Sequence, residues 1–339
     1  MYPKTQQVIA NFLTENVMPG VSYAFIKEGQ VATYTAGYAQ LEPEKEVLTP
    51  AMLFDVASLT KVICTTTLVL KLVEQKYLTV EDRLQKYLPE FQDPQVTIRQ
   101  LLTHTAAINA DIENRDQLTA AELKSAMLKL KSTAERGQSV VYTDTGTVLL
   151  GFMLEKIYQQ NLHLLFQQKI LEPLGMKAST FTPTRALAVP TEVHLTRGLI
   201  RGEVHDPKAY TLQADCGSAG LFTNLADCLL FVNMLLNDGK LPTGEPFLTK
   251  ATVQGLLRDQ TPTNHLKRSL GWDLKRSLAD QHPLLFHTGY TGTFLLIDIS
   301  EGTAFIFLSN RVHPKDYRKE YLQKRDYLVA TYLAESAFN

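Results

Sequence analysis

A chain of 339 residues is too long for one small domain and long enough to bury a large core, as one big unit or two intimate ones. Hydrophobic residues make up 45% and charged residues 20%, the balance of an ordinary water-soluble globular protein. Lys plus Arg (34) nearly cancel Asp plus Glu (35), so no field steers the chain to nucleic acid or anionic lipid, and no nucleic-acid partner is expected.

Near the start, Val8, Ile9, Phe12, Leu13 and Val17 recur at helical spacing between polar residues, which predicts an amphipathic helix of the fold rather than a signal peptide. No run approaches the ~18 apolar residues that cross a bilayer, so no membrane span is expected. Residues 21–27 and 31–39 are β-rich and flank Glu28-Gly29-Gln30, a predicted hairpin. A strongly apolar helix is predicted over 59–76, then amphipathic helices over 80–87, 98–104, 120–131 and 145–158. Strands return at 293–299 and 304–309 around Ser300-Glu301-Gly302, and a last helix carries Tyr321, Leu328, Val329, Tyr332 and Leu333 on one face. Strands at both ends with helices between them predict an α+β fold: an antiparallel sheet flanked by helices and interrupted by an all-helical insertion. The expected division is a discontinuous sheet domain, 1–75 and 205–339, and a mainly helical domain, 76–204, with the site at their seam. Cys64, Cys216 and Cys228 are odd in number and lack metal-ligand spacing, so reduced thiols and a cytoplasmic location are expected.

Three short motifs carry chemistry. Ser58-Leu59-Thr60-Lys61 sets a hydroxyl at the start of the apolar helix and an amine one turn on, the pairing an activated serine nucleophile needs. A helix N-terminus favours developing negative charge there. By itself Ser-x-x-Lys is a weak signal, and Ser58 as a plain helix cap is the competing reading. Tyr142-Thr143-Asp144 offers a phenol that can relay a proton, and His287-Thr288-Gly289 a strand segment that can line a substrate. Cys216-Gly217-Ser218-Ala219-Gly220 nearly forms a Gly-x-Ser-x-Gly elbow but lacks the first glycine, and reads as a tight turn with close backbone approach. His194, His205, Asp206 and Asp215 have no recognisable ligand spacing, and no nucleotide-binding loop is present, so neither metal nor cofactor is expected.

With these residues in place, the chain resembles the serine hydrolases of the penicillin-binding-protein and class C β-lactamase superfamily, including its carboxylesterase and DD-peptidase members. The resemblance runs over nearly the whole length. It rests on residues 54–61, on Leu101-Leu102-Thr103-His104-Thr105, on Pro173-Leu174-Gly175-Met176, on residues 218–223 and on His287-Thr288-Gly289-Tyr290-Thr291-Gly292. It implies a β-lactamase/transpeptidase-like fold, Ser58 as nucleophile, Lys61 as its activating partner and Tyr142 as proton shuttle. The N–H groups of Ser58 and Tyr290 would form the oxyanion hole, with Asp144, His287, Thr288, Gly289 and Tyr290 around the substrate. Lys61 and Tyr142 stay open as alternative bases; a phenol of ordinary pKa ~10 is a poor base unless a neighbouring ammonium stabilises its phenolate.

Two positions depart from the family pattern. The second motif usually ends in Asn and here ends in Asp144, whose carboxylate should keep Lys61 charged and repel an anionic substrate. The third usually begins with Lys in β-lactamases and here begins with His287, mostly neutral at pH 7 and so a weaker attractor of a carboxylate. The expected function is therefore a cofactor-independent serine hydrolase working through an acyl-enzyme on a small carboxylic ester, D-alanyl esters included. A DD-carboxypeptidase or β-lactamase acting on a peptide or β-lactam is the alternative on the same site. A non-catalytic binding or scaffold member is the alternative of another class. The oligomeric state has no sequence signal.

Overall fold

A computed structural model describes residues 1–337. The main sheet has seven strands: β1 (Gly20–Lys27), β2 (Gln30–Gln40), β3 (Glu46–Val47), β4 (Asp273–Arg276), β5 (Pro283–Gly289), β6 (Thr293–Asp298) and β7 (Thr303–Ser309). Their order is β3-β2-β1-β7-β6-β5-β4, and every pair is antiparallel. Pairing of β1 with β7, Val21 opposite Ser309, joins the two ends of the chain. The helices used below are α1 (Pro3–Thr14), α2 (Thr67–Glu74), α3 (Thr145–Tyr158), α4 (Pro207–Leu212), α5 (Leu225–Leu236) and α6 (Arg318–Ala337).

The central strands are continuous apolar runs because both faces of the sheet are covered. Ala24, Ile26, Leu295, Ile297, Ile306 and Leu308 point to a core shared with α2, α3 and α5. Their neighbours along the strands, Tyr23, Phe25, Phe294, Leu296, Phe305 and Phe307, point the other way, onto α1 and α6. Tyr332 of α6 packs 5.0 Å from the Phe305 ring, and Glu335 accepts bonds from the Lys4 and Thr5 main-chain N–H groups, which would otherwise be unsatisfied at the start of α1. Burying a phenylalanine such as Phe305 in this layer contributes about 3–5 kcal/mol against truncation to alanine.

Several sequence expectations shift. The predicted helix over 80–87 is only a 3₁₀ turn, Leu84–Lys86, because the Leu84 N–H donates to the Val96 carbonyl and Arg83 bridges to Thr97, diverting the backbone. The helix after Ser58 opens as a π-helical turn, Lys61–Thr66, before becoming α2. Strand β4 has no apolar alternation to announce it: Asp273-Leu274-Lys275-Arg276 is a polar edge strand, the kind that resists further pairing. Helix α3 spans the predicted 145–158, and its residues 145–154 are all buried, which makes it the central helix of the region between β3 and β4. No helix among the described residues is long and apolar enough to cross a membrane.

Candidate active site

Strand Phe54–Asp55 pairs with Phe222–Thr223 and delivers the chain to a sharp turn in which Ala57 takes a φ of 47°. Asp55 holds that turn: its carboxylate accepts from the Ala57 N–H at 2.8 Å and the His205 N–H at 2.7 Å. The next residue, Ser58, enters a cavity of about 770 Å³ that Tyr142, Asp144, Lys208, Thr288 and Tyr290 also line. From the first turn of the helix, Lys61 points back so that its ammonium donates to Ser58 Oγ at 2.7 Å, Asp144 Oδ1 at 2.8 Å and the Ser218 carbonyl at 3.1 Å. Its side chain is 1% exposed, so three good acceptors are what make a buried charge tolerable.

Ser218 itself is fully buried with Oγ turned to Cys216 Sγ at 3.2 Å, so the near-elbow supplies a carbonyl and no nucleophile. A side chain on Gly217 would come within 2.4 Å of the Thr147 carbonyl, so only glycine lets this segment lie against α3. On the opposite wall, Thr291 and Thr293 donate to the carbonyls of Asp55 and Val56, drawing residues 289–293 across the nucleophile strand. A Cβ on Gly289 would meet the Val56 carbonyl at 2.4 Å, which explains the glycine of the third motif. Arg311, with its guanidinium over the rings of Tyr290 and Tyr321, donates to the Tyr290 carbonyl from Nε at 2.9 Å and pairs with Asp316, fixing the peptide that follows Tyr290.

Asp144 occupies the N-cap position of α3 but makes no capping bond. Its carboxylate is spent on two lysines: Lys61 on Oδ1 and Lys208, from the first turn of α4, on Oδ2 at 2.6 Å. Burial favours the neutral acid, yet the two ammoniums outweigh it and hold Asp144 well below the usual carboxylate range. Burial likewise works against charge on Lys61, but Tyr142 and Asp144 more than compensate and hold the ammonium above its ordinary value. Lys61 therefore reads as a fixed cation. Tyr142, 46% exposed, lies with its ring 5.3 Å from that ammonium.

His287 is placed differently from the sequence expectation. It is 4% exposed and tucked behind Tyr142, with ring centroids 6.1 Å apart, and neither of its ring nitrogens has a hydrogen-bond partner. Thr288, Gly289 and Tyr290 line the cavity; the His287 ring does not. Burial, then Arg268 and Lys61, drive its pKa well below the usual value, with Asp144 only a minor opposing influence; His104, whose ring also packs against Tyr142, is depressed for similar reasons. Both imidazoles stay neutral well below pH 6.5. The expected kcat/KM profile therefore has no limb from His287 or His104 near the ordinary imidazole value of ~6.5. A break near pH 6.5 that vanishes in His287→Gln would show an ionising imidazole at work.

The sequence reading missed Lys208, Arg268 and Arg311. Lys208 did leave a signal: a lysine directly after Asp206-Pro207 sits in the first turn of a helix, where the dipole disfavours a cation unless a carboxylate holds it. Among the described residues no group of His, Cys, Asp and Glu is arranged to hold a metal ion.

A helix-flanked antiparallel sheet with a lysine-bound serine at the floor of a cleft defines the class of the serine β-lactamases and penicillin-binding proteins. The Beta-lactamase family model matches residues 5–328, and the chain belongs to that family. A Salmonella agona protein named "Putative D-alanyl-D-alanine carboxypeptidase" is 28% identical over 87% of this chain and 79% of its own length. Among solved structures, EstCE1, "a hydrolase with promiscuous acyltransferase activity", shares the fold with a TM-score of 0.76 at 21% identity, over 96% of this chain and 97% of its own. A class C β-lactamase does so with a TM-score of 0.76 at 16% identity, over 96% and 94% of the two chains. The octameric penicillin-binding protein homologue from Pyrococcus abyssi follows at 0.74 and 22%, over 96% and 76%. The chain is a serine hydrolase of this family.

Proposed function

We propose that this protein hydrolyses small carboxylic esters through an acyl-enzyme on Ser58. The observation that carries the reading is the 2.7 Å bond from the buried Lys61 ammonium to Ser58 Oγ at the floor of the cavity. In this reading Tyr142 acts as its phenolate, the form the neighbouring Lys61 ammonium favours, and takes the Ser58 proton as Oγ attacks the ester carbonyl, while the main-chain N–H groups of Ser58 and Tyr290 receive the oxyanion. Tyr142 returns the proton to the departing alkoxide, and water then releases the acid by the same steps in reverse roles. Esters suit the site because the third motif contributes a neutral, enclosed imidazole, so that strand brings no charge to grip a substrate carboxylate.

A second reading, a D-alanyl-D-alanine carboxypeptidase, is favoured by Asp144. Its charge is balanced by Lys61 and Lys208, so it repels an anionic peptide less than the bare sequence suggests, and Arg197 and Arg318 add positive charge at the cavity wall. The name of the Salmonella relative points the same way. Side-by-side kcat/KM for p-nitrophenyl butyrate, an N-acyl-D-Ala-D-Ala peptide and a cephalosporin tests the choice. The butyrate is expected to lead by at least about a hundred-fold, because its leaving group needs little protonation. A peptide or cephalosporin preferred over the ester would overturn the ester reading.

A further inference from the structure

Lys208 is a charged side chain of the cleft that the reaction above leaves without a task. Its ammonium lies 2.6 Å from Asp144 Oδ2 and 3.7 Å from Asp206 Oδ2, and its side chain is 16% exposed, opening into the cavity that holds Ser58. Only the first contact is a hydrogen bond by length, so two of its three N–H groups remain for another acceptor. Asp144, by contrast, has no proton to offer a substrate acceptor. A carboxylate only accepts, and both of its oxygens are already engaged by ammoniums. Lys208 is thus one carboxylate and one ammonium away from the Ser58 hydroxyl, along a chain of short contacts: Ser58 to Lys61, Lys61 to Asp144, Asp144 to Lys208. Ser58 and Lys208 line the same cavity, so an acyl group on Ser58 shares its space with that ammonium.

Its position is also built. Asp206 caps α4 by accepting from the Ala209 N–H at 2.8 Å, and Pro207 at the first helical position presets the backbone that carries Lys208. Burial disfavours the charge, while Asp206 and Asp144 outweigh it and keep Lys208 protonated, with Arg115 opposing weakly.

Resting on the acyl-enzyme reading above, we propose that Lys208 is a specificity-determining residue whose ammonium, held by Asp144, binds an acceptor oxygen on the acyl portion of the substrate. The ligand chemistry is a carbonyl or carboxylate oxygen a few bonds beyond the scissile carbonyl.

Three methyl esters of matched size test this by pH-stat: methyl pentanoate with no second acceptor, methyl 4-oxopentanoate with a ketone, and monomethyl succinate with a carboxylate. In Lys208→Met, kcat/KM is expected to fall about ten-fold or more on the ketone and carboxylate esters, mostly through KM, and to change less than about three-fold on the pentanoate. Lys208→Arg should restore much of the loss. A carboxylate arm that falls further than the ketone arm identifies charge as the recognised feature; equal falls identify the hydrogen bond. Equal loss on all three esters would mean that Lys208 acts only through Asp144 and Lys61, and no loss would mean that it touches no substrate; either overturns the proposal. Should Lys208→Met fail to fold, Lys208→Gln replaces it in the same series. Binding of 4-oxopentanoate to Ser58→Ala protein, followed by NMR shifts, reads the contact without turnover. Weaker binding on adding Lys208→Met supports the contact, and unchanged binding overturns it, even if no ester is hydrolysed and the catalytic reading itself fails.

Discussion

Ser58→Ala is expected to abolish labelling by an active-serine fluorophosphonate and to cut ester turnover by at least about four powers of ten, the scale of nucleophile removal in serine hydrolases. The fold should survive. Ser58 Oγ is only one of three acceptors for Lys61, and the variant leaves the ammonium on Asp144 and the Ser218 carbonyl. A melting temperature within a few degrees of the parent, measured beside the labelling, separates lost chemistry from lost structure. Ser218 cannot stand in, since it is enclosed and faces Cys216. Labelling that persists in Ser58→Ala and maps to another serine would remove Ser58 from the role. The same experiment decides the scaffold alternative: a binding protein that merely inherited the fold would not be labelled at all.

The nucleophile segment was legible because local signals agreed there: a short β run, a serine at a helix start, and a lysine three residues on inside an apolar stretch. Both sheet hairpins were legible from apolar runs punctuated by Glu28-Gly29-Gln30 and Ser300-Glu301-Gly302. Charge balance was not legible, because it is set between elements far apart in the chain. Asp144 looked like an unmatched carboxylate until α4, some sixty residues on, brought Lys208 to its second oxygen. His287 looked like a weak substitute for a cleft lysine, yet tertiary packing turns its ring behind Tyr142 and beside Trp272, where it is neutral and out of the cavity. A neutral enclosed imidazole attracts no carboxylate, and the repulsion expected from Asp144 is largely cancelled by two lysines. Strand β4 and the truncated 80–87 segment escaped for a related reason: edge pairing and a diverted hydrogen bond are decided by partners, not by local pattern.

Tyr142→Phe separates the two bases that the motifs left open. Lys61 is enclosed, bonded to a carboxylate and held above its ordinary pKa, so it has no lone pair to take the Ser58 proton near neutrality. Tyr142 as its phenolate is the remaining candidate in the cavity of Ser58: it is half exposed, and its ring stands 5.3 Å from the ammonium and 4.5 Å from the neutral His104 ring. Removing its oxygen while keeping its ring should lower kcat for an activated ester by about 10²–10⁴-fold, the usual worth of general acid–base help, with KM changed less than about three-fold. The loss should grow with the basicity of the leaving group, because an alkoxide needs the returned proton more than p-nitrophenolate does. A series of phenyl and alkyl esters reads that slope directly. Near-parental kcat in Tyr142→Phe across the series would leave the ring as packing between His104 and His287 and return the proton to Lys61, whose pairing with Asp144 would then have to loosen when substrate binds.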